Sequence, residues 1–289
     1  MLAIRYTTVL SMPSRSSLSG LLVSLILAAL TGFGGYQISL LPDGKLHAYF
    51  LDVGQGDSIF LVSPSGKQIL VDGGPDLSTL EQMAKHMPFF DKSIDLVILT
   101  HPDKDHISAF PEVLKRYNVK QVMLTGVEHS IGQYDAFIDA ISRQQIPVLL
   151  ADPKKDIRIG DGLVLDIIWP NAATMDPHTV TNATSIVMRV LYKQHSILLT
   201  GDIEKVTENQ ILATGAYIHS DILKVAHHGS KTSSSTGFLL AVSPQLAVIS
   251  VGKDNQFGHP SPSVITRYAA MHIPVRTTMD EGTIGIVLE

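Results

Sequence analysis

The stretch "THPDKDH", Thr100 to His106, sets His101, Asp103, Asp105 and His106 directly behind the apolar run Leu96–Leu99. One solvated charge would be enough to end a strand. Neutral imidazole nitrogens and carboxylate oxygens are both good ligands for divalent cations, so four such groups packed together point to a metal site. They can converge only if the chain turns tightly from strand to loop. Pro102 favours that turn, because it disfavours helical backbone at His101 and continues a central strand poorly.

Two later segments repeat the pattern. "ILLTGDIE" puts Asp202 at the end of an apolar strand, and "ILKVAHHGS" puts His227 and His228 at the end of another. Ligand types thus fall where strands stop, which is where open α/β sheets build their sites. In extended backbone the neighbours His227 and His228 would face opposite ways, one toward metal and one toward substrate, and the residues leave open which. His259, fixed between Gly258 and Pro260, is a candidate for substrate contact or proton transfer. Lys224, Lys231 and Lys253 are phosphate-contact candidates, each with a plain solvated lysine as the alternative. "VGQG" at Val53–Gly56 lacks the spacing of a phosphate-binding loop and reads as a tight turn. "GQGDS" is not the elbow of a serine hydrolase.

The elements that must carry these residues alternate between short strands and helices. Strands are predicted at Leu46–Asp52, Ser58–Ser63, Gln68–Asp72 and Ile94–Leu99, the last apolar from Leu96 onward, a run of the kind buried on both faces. Helices are predicted at Ser78–His86, Phe110–Tyr117 and Tyr134–Gln145. A hairpin turning at Gly160-Asp161-Gly162 opens the second half. Strands then follow at Ser185–Tyr192, Ser196–Thr200, Ile222–Val225, Leu246–Ser250, Val275–Thr278 and Thr283–Val287, with helices at Glu204–Thr214 and Pro262–Met271. Two β-rich halves, each with helices, imply two sheets packed face to face with helices outside.

The N-terminus differs in kind. Leu18 to Tyr36 carries no charge, follows Arg5 and Arg15, and approaches the ~20 residues that a membrane-spanning helix needs. The expected organisation is a cytoplasmic segment at 1–17, a transmembrane anchor or signal segment at 18–36, a linker at 37–45 and one folded domain at 46–289 that carries the candidate ligands. By the positive-inside bias that domain lies outside the cytoplasm, held on the inner membrane by a single pass or exported.

Composition narrows the chemistry. The chain has 289 residues, 45% hydrophobic and 17% charged, enough for a well-filled core. Its formal net charge of -5 argues against a broad electrostatic grip on nucleic acid, so a polyanion must be held locally, most simply by metal ions. The lack of cysteine excludes disulfides, iron–sulfur clusters and thiol catalysis.

Together, "FLDVGQGDS", "ILVDGG", "LTHPDKDH", "LLTGDIE", "KVAHHGS" and "GHPSP" resemble the metallo-β-lactamase superfamily, whose first motif is H-x-H-x-D-H. More narrowly, they are similar to the hydrolase domain at the end of ComEC-type competence DNA-uptake proteins, over Leu46 to Glu289. The resemblance implies an α+β fold, a four-layer αββα sandwich with two divalent ions, zinc or manganese, at one edge. It assigns His101 and Asp103 to the first ion, Asp105 and His106 to the second, and Asp202 to a bridge. His227, His228 or both complete the set. Asp72 would orient a ligand histidine, or simply form a turn before Gly73-Gly74. Asp103 stands where the family has its second histidine, and the region of the third reads "TNATSIV". The first position is therefore richer in oxygen, which favours manganese over tightly held zinc.

Asp105, His228 and His259 are then the catalytic candidates, with Lys231, Asn182 and Ser185 on the substrate side. The implied reaction is hydrolysis of a phosphodiester, single-stranded DNA among the candidates, by a metal-activated water. Another ester or amide is the alternative substrate, and a non-catalytic metal- or DNA-binding module is the alternative of a different class. DNA uptake would need a separate channel partner.

Overall fold

Apolar residues on both faces of the central strands require cover on both faces, and the fold supplies it. The computed structural model describes residues 15–127, 129–170 and 181–289. It falls into two units, one ending at Leu41 and one running from Pro42 to Glu289. The first contains helix α1 (Arg15–Ser39), whose Gly20–Ser39 portion is long and apolar enough to cross a membrane. Leu21, Leu22, Val23, Leu25, Ile26 and Leu27 are all exposed, so the helix has no single buried face.

In the second unit β1 (Leu46–Phe50), β2 (Ile59–Val62) and β3 (Gln68–Val71) form an antiparallel meander. Then follow α2 (Ser78–Met83), β4 (Ser93–Ile94), β5 (Leu96–Ile98), α3 (Lys104–Ile107) and α4 (Phe110–Arg116). The first half continues with β6 (Asn118–Val119), β7 (Val122–Leu124), α5 (Gly132–Gln144) and β8 (Val148–Leu150). β3, β5, β7 and β8 run parallel, Ile69 facing Leu96 and Ile98 facing Met123.

The second half opens with the hairpin β9 (Ile157–Gly160) and β10 (Leu163–Trp169), then β11 (Val187–Tyr192) and β12 (His195–Leu199). α6 (Lys205–Ala213), β13 (Ile222–Lys224), α7 (Thr236–Val242), β14 (Leu246–Ile249), α8 (Pro262–Ala270) and β15 (Val275–Thr277) alternate, so β12 to β15 are parallel. α9 (Thr278–Glu281) leads into β16 (Ile284–Leu288). That strand leaves its own half and pairs antiparallel with β1, so among the described residues each of the two large sheets has seven strands, beside a two-stranded β4–β6 pair, and the halves are not independent. The sequence assigned a strand there but not a crossing, because the partner of an edge strand is set by three-dimensional closure.

Period-two alternation explains the layers. Leu46, Ala48 and Phe50 point between the sheets with Leu96 and Ile98, against Leu165, Ile167, Met188 and Val190 of the other sheet. Val97 and Leu99 point the other way, onto Phe110, Val113 and Phe137 of α4 and α5. Leu198, Leu223 and Ile249 meet Ile211, Phe238 and Tyr268 of α6, α7 and α8. Each fully buried side chain of this size contributes roughly 1.5–3 kcal/mol. The result is the helix–sheet–sheet–helix sandwich that the sequence implied.

Candidate metal centre

The parallel strands of both sheets end at one edge, and the ligand-type residues lie there. After β5 the chain passes Pro102 in irregular backbone and enters α3, whose first turn closes with His106 N–H donating to the Asp103 carbonyl at 2.9 Å. Asp105 and His106 therefore project from a short helix instead of the loop expected. Asp202 follows β12. His227 and His228 follow β13, both in left-handed backbone with φ of 52° and 51°. The extended geometry expected for this pair is absent, but the rings still diverge, their centroids 6.2 Å apart.

Asp105, His106, Asp202 and His228 each offer a ligand atom within 4.8 Å of the others. His106 Nε2 lies 3.3 Å from Asp202 Oδ2, and His228 Nε2 lies 3.3 Å from the same oxygen and 3.2 Å from Asp105 Oδ2. Hydrogen bonds at the opposite nitrogens aim these rings. His106 Nδ1 donates to Asp72 Oδ2 at 2.8 Å, and His228 Nδ1 donates to the Ser250 carbonyl at 2.9 Å. Asp72, itself in left-handed backbone, also accepts from Thr100 N–H at 2.8 Å and Thr100 Oγ1 at 2.7 Å. Thr100 Oγ1 must then accept from His101 Nδ1, at 3.0 Å. All three imidazoles thus turn Nε2 inward, buried and without a hydrogen-bond partner, and Asp202 Oδ1 is likewise unpartnered. Buried polar atoms are ordinarily satisfied, so this set of donor atoms fits a divalent cation.

One buried ammonium, Lys224, is ion-paired to buried Asp57 and lies 3.6 Å from Oδ1 of buried Asp202. Burial opposes charge on Asp202, yet His228, His106 and Lys224 hold its carboxyl well below the usual range. Burial likewise opposes charge on His106 and His228, but Asp202 on both, with Asp72 on the first and Asp57 on the second, holds each well above the ordinary imidazole value. The carboxylates that raise the two imidazoles would equally draw a divalent cation, which displaces the Nε2 protons as it binds. His101 is pushed well below it by burial and by His106.

The remaining expected residues separate. His101 sits beside the group, its ring 4.1 Å from that of His106 and its Nε2 3.7 Å from Asp103 Oδ2. His227 stands outside the four-residue group, with Nδ1 3.4 Å from Glu204 Oε1 and 3.5 Å from Asn182 Nδ2 and Thr232 Oγ1. Of the pair that the sequence left open, His228 is thus the one within the group. Ser185 is fully buried and its Oγ accepts from Asp202 N–H at 3.1 Å, so it holds the backbone of Asp202 instead of standing on an open substrate face. Lys224 is corrected in the same way, since its buried ammonium also donates to the Gly201 carbonyl at 3.1 Å. Lys231 and Lys253 are exposed, and His259 lies half-buried with its ring 5.6 Å from that of His227.

Asp57 has no role in the sequence reading, yet it holds Lys224 and lies 3.4 Å from His228 Nδ1. Its only sequence signal is a carboxylate between a glycine turn and the apolar "SIFLV". The "VGQG" turn serves it: Asp57 N–H donates to the Asp105 carbonyl at 3.1 Å, and its own carbonyl accepts from Gly74 N–H at 2.9 Å.

This sandwich, with its ligand group at the strand ends, is the architecture of a metallo-hydrolase family: the chain belongs to the metallo-beta-lactamase superfamily, matched over residues 51–253. It is similar to ComE operon protein 3 of Bacillus subtilis (strain 168), 31% identical over 81% of this chain and 32% of that protein. It is also similar to competence protein ComA of Neisseria gonorrhoeae, 28% identical over 88% of this chain and 34% of that protein. The chain spans about a third of the length of these relatives. Among solved structures it resembles Igni18, a metallo hydrolase from the archaeon Ignicoccus hospitalis, with TM-score 0.54 and 17% identity over 84% of this chain and 100% of that one.

Proposed function

We propose that the protein is a metal-dependent phosphodiesterase acting on DNA strands. The observation that carries this reading is the set of three inward, unpartnered Nε2 atoms beside Asp105 and Asp202. Asp105, His106, Asp202 and His228 would hold one divalent ion, and His101 with Asp103 would offer donors to a second, manganese suiting the oxygen-rich set better than zinc. Bound there, such ions supply Lewis acidity, activation of water near neutral pH and neutralisation of phosphate charge. The chain's own residues do the rest. Asp72 and the Ser250 carbonyl lock the rings of His106 and His228, Ser185 and Lys224 seat Asp202, and Asn182, Lys231 and His259 face the substrate side. The resemblance of the sequence motifs to ComEC-type competence DNA-uptake proteins, with a competence protein among the relatives, supports DNA as the polyanion. The absence of the family's second and third histidines weighs against β-lactams. Residues 46–289 form the hydrolase domain, anchored or exported through the apolar segment at 18–36, outside the cytoplasm.

The test uses metal-stripped full chain in detergent, reloaded with manganese or zinc and offered single-stranded DNA, a chromogenic phosphodiester, a carboxylic ester and a β-lactam. Metal-dependent turnover confined to the phosphodiesters is expected. Asp105→Asn and Asp202→Asn should each lower metal stoichiometry and abolish turnover while the far-ultraviolet spectrum stays unchanged. Unaltered metal content and rate in both variants would end the assignment.

A further inference from the structure

Beyond the ligand group, three rings lead outward in near-parallel succession. His228 and His259 lie with centroids 6.5 Å apart and planes at 28°, and His259 and Phe257 follow at 5.8 Å and 23°. Phe257 ends the series and is 70% exposed. A phenyl ring left in water forgoes the burial that usually places phenylalanine in cores. Loop slack does not explain the exposure, because Asn255 pins the turn. Its Oδ1 accepts from Phe257 N–H at 3.2 Å and His259 N–H at 3.0 Å, while its Nδ2 donates to the carbonyls of Gly252 at 2.8 Å and His259 at 2.7 Å. Gly252 N–H in turn donates to Gln55 Oε1 at 3.2 Å, tying the turn to the loop that carries Asp57.

We infer that the free face of Phe257 is a stacking platform for one unpaired nucleobase, in a nucleotide neighbouring the phosphodiester held at the ligand group. The inference rests on the phosphodiesterase reading and narrows its substrate to single strands. A duplex keeps its base faces covered, whereas a single strand offers a π-face at every nucleotide, whatever its sequence. The surroundings suit a polyanion, since exposed lysines stand on three segments that carry site residues: Lys104 at the start of α3 between Asp103 and Asp105, Lys231 after His228, and Lys253 on the turn of Phe257 itself. The platform lies two ring spacings out from His228, so the stacked base belongs beside the cleaved linkage and not at it.

Affinity of the manganese-loaded full chain is measured by fluorescence anisotropy with a labelled ten-nucleotide single strand, made hydrolysis-resistant by phosphorothioate linkages, and with an abasic strand of equal length. Phe257→Ala should weaken binding of the base-bearing strand about tenfold, from the range measured for base–aromatic stacking, and Phe257→Trp should restore it. On the abasic strand wild type and Phe257→Ala should bind alike. Equal affinity of the two proteins for the base-bearing strand would overturn the platform, as would an equal loss on the abasic strand, which would mark Phe257 as a loop support. Turnover of phosphodiesters by wild type is scored separately. Turnover with no Phe257 effect removes the platform alone, and a Phe257-dependent loss of binding without turnover supports the platform while removing the hydrolase reading.

Discussion

Asp72 is buried, and it orients His106 directly and His101 through Thr100. Asparagine there would offer one acceptor oxygen where two carboxylate oxygens now take three donors. Asp72→Asn is therefore expected to weaken manganese or zinc binding by about 10–100-fold, as loss of a ligand's supporting partner does elsewhere. Chelator competition on the folded variant measures this, and an unchanged affinity would show that the ring of His106 needs no such support. Lys224 carries a different load. Replacing it by methionine leaves Asp57 and Asp202 buried without their ammonium, and removal of one partner from a buried ion pair typically costs about 3–5 kcal/mol. Urea midpoints should report that loss for Lys224→Met, and Asp57→Leu added to it should recover a large part. A double variant no more stable than the single one would mean that Asp57 is not the charge Lys224 neutralises.

At the level of elements, the centre depends on how the loop before β2 fits against α3. Gly56 has φ of 151°, and a Cβ there would run into the Asp105 carbonyl that accepts from Asp57 N–H. Gly56→Ala should therefore move Asp105, and metal affinity should fall although no ligand has been altered, with backbone strain of about 1–3 kcal/mol added. Calorimetric metal titration together with a melting curve separates the outcomes. A variant that melts lower but binds metal normally would show that α3 yields without carrying Asp105 away. The left-handed pair His227 and His228 belongs to the same scale, because that backbone turns one ring to Asp202 and the other to Glu204.

For the whole molecule, the two sheets are joined by more than their shared core. Ile186 N–H donates to the Thr100 carbonyl at 3.0 Å beside the ligand group, and β16 closes the first sheet on β1. The apolar helix is a separate unit, and the orientation proposed for it rests on charge, since Arg5 and Arg15 precede the uncharged run and no early cluster of lysine or arginine follows it. A reporter fused after Glu289 in a bacterial host is expected to be active only if it requires the periplasm. Activity of a cytoplasm-requiring reporter instead would reverse the orientation.

Residue type beside an apolar run is a local property, so His101, Asp105, His106, Asp202 and the His227–His228 pair were legible as candidates from the sequence alone, as were most of the strands that end at them. The layered sandwich was legible for the same reason: β5 is apolar at every position and must be covered on both faces. Which histidine of the pair turns inward, that Ser185 and Lys224 are buried behind Asp202, and that Asp57 belongs to the centre were decided only by tertiary structure. Each of these depends on contacts between segments far apart in the chain, where side-chain direction is set by left-handed backbone and by the meeting of two sheets. Phe257 is the converse case: an apolar residue in a polar turn reads as nothing in one dimension, and only the ring of His259 beneath it and the water above it give it a direction.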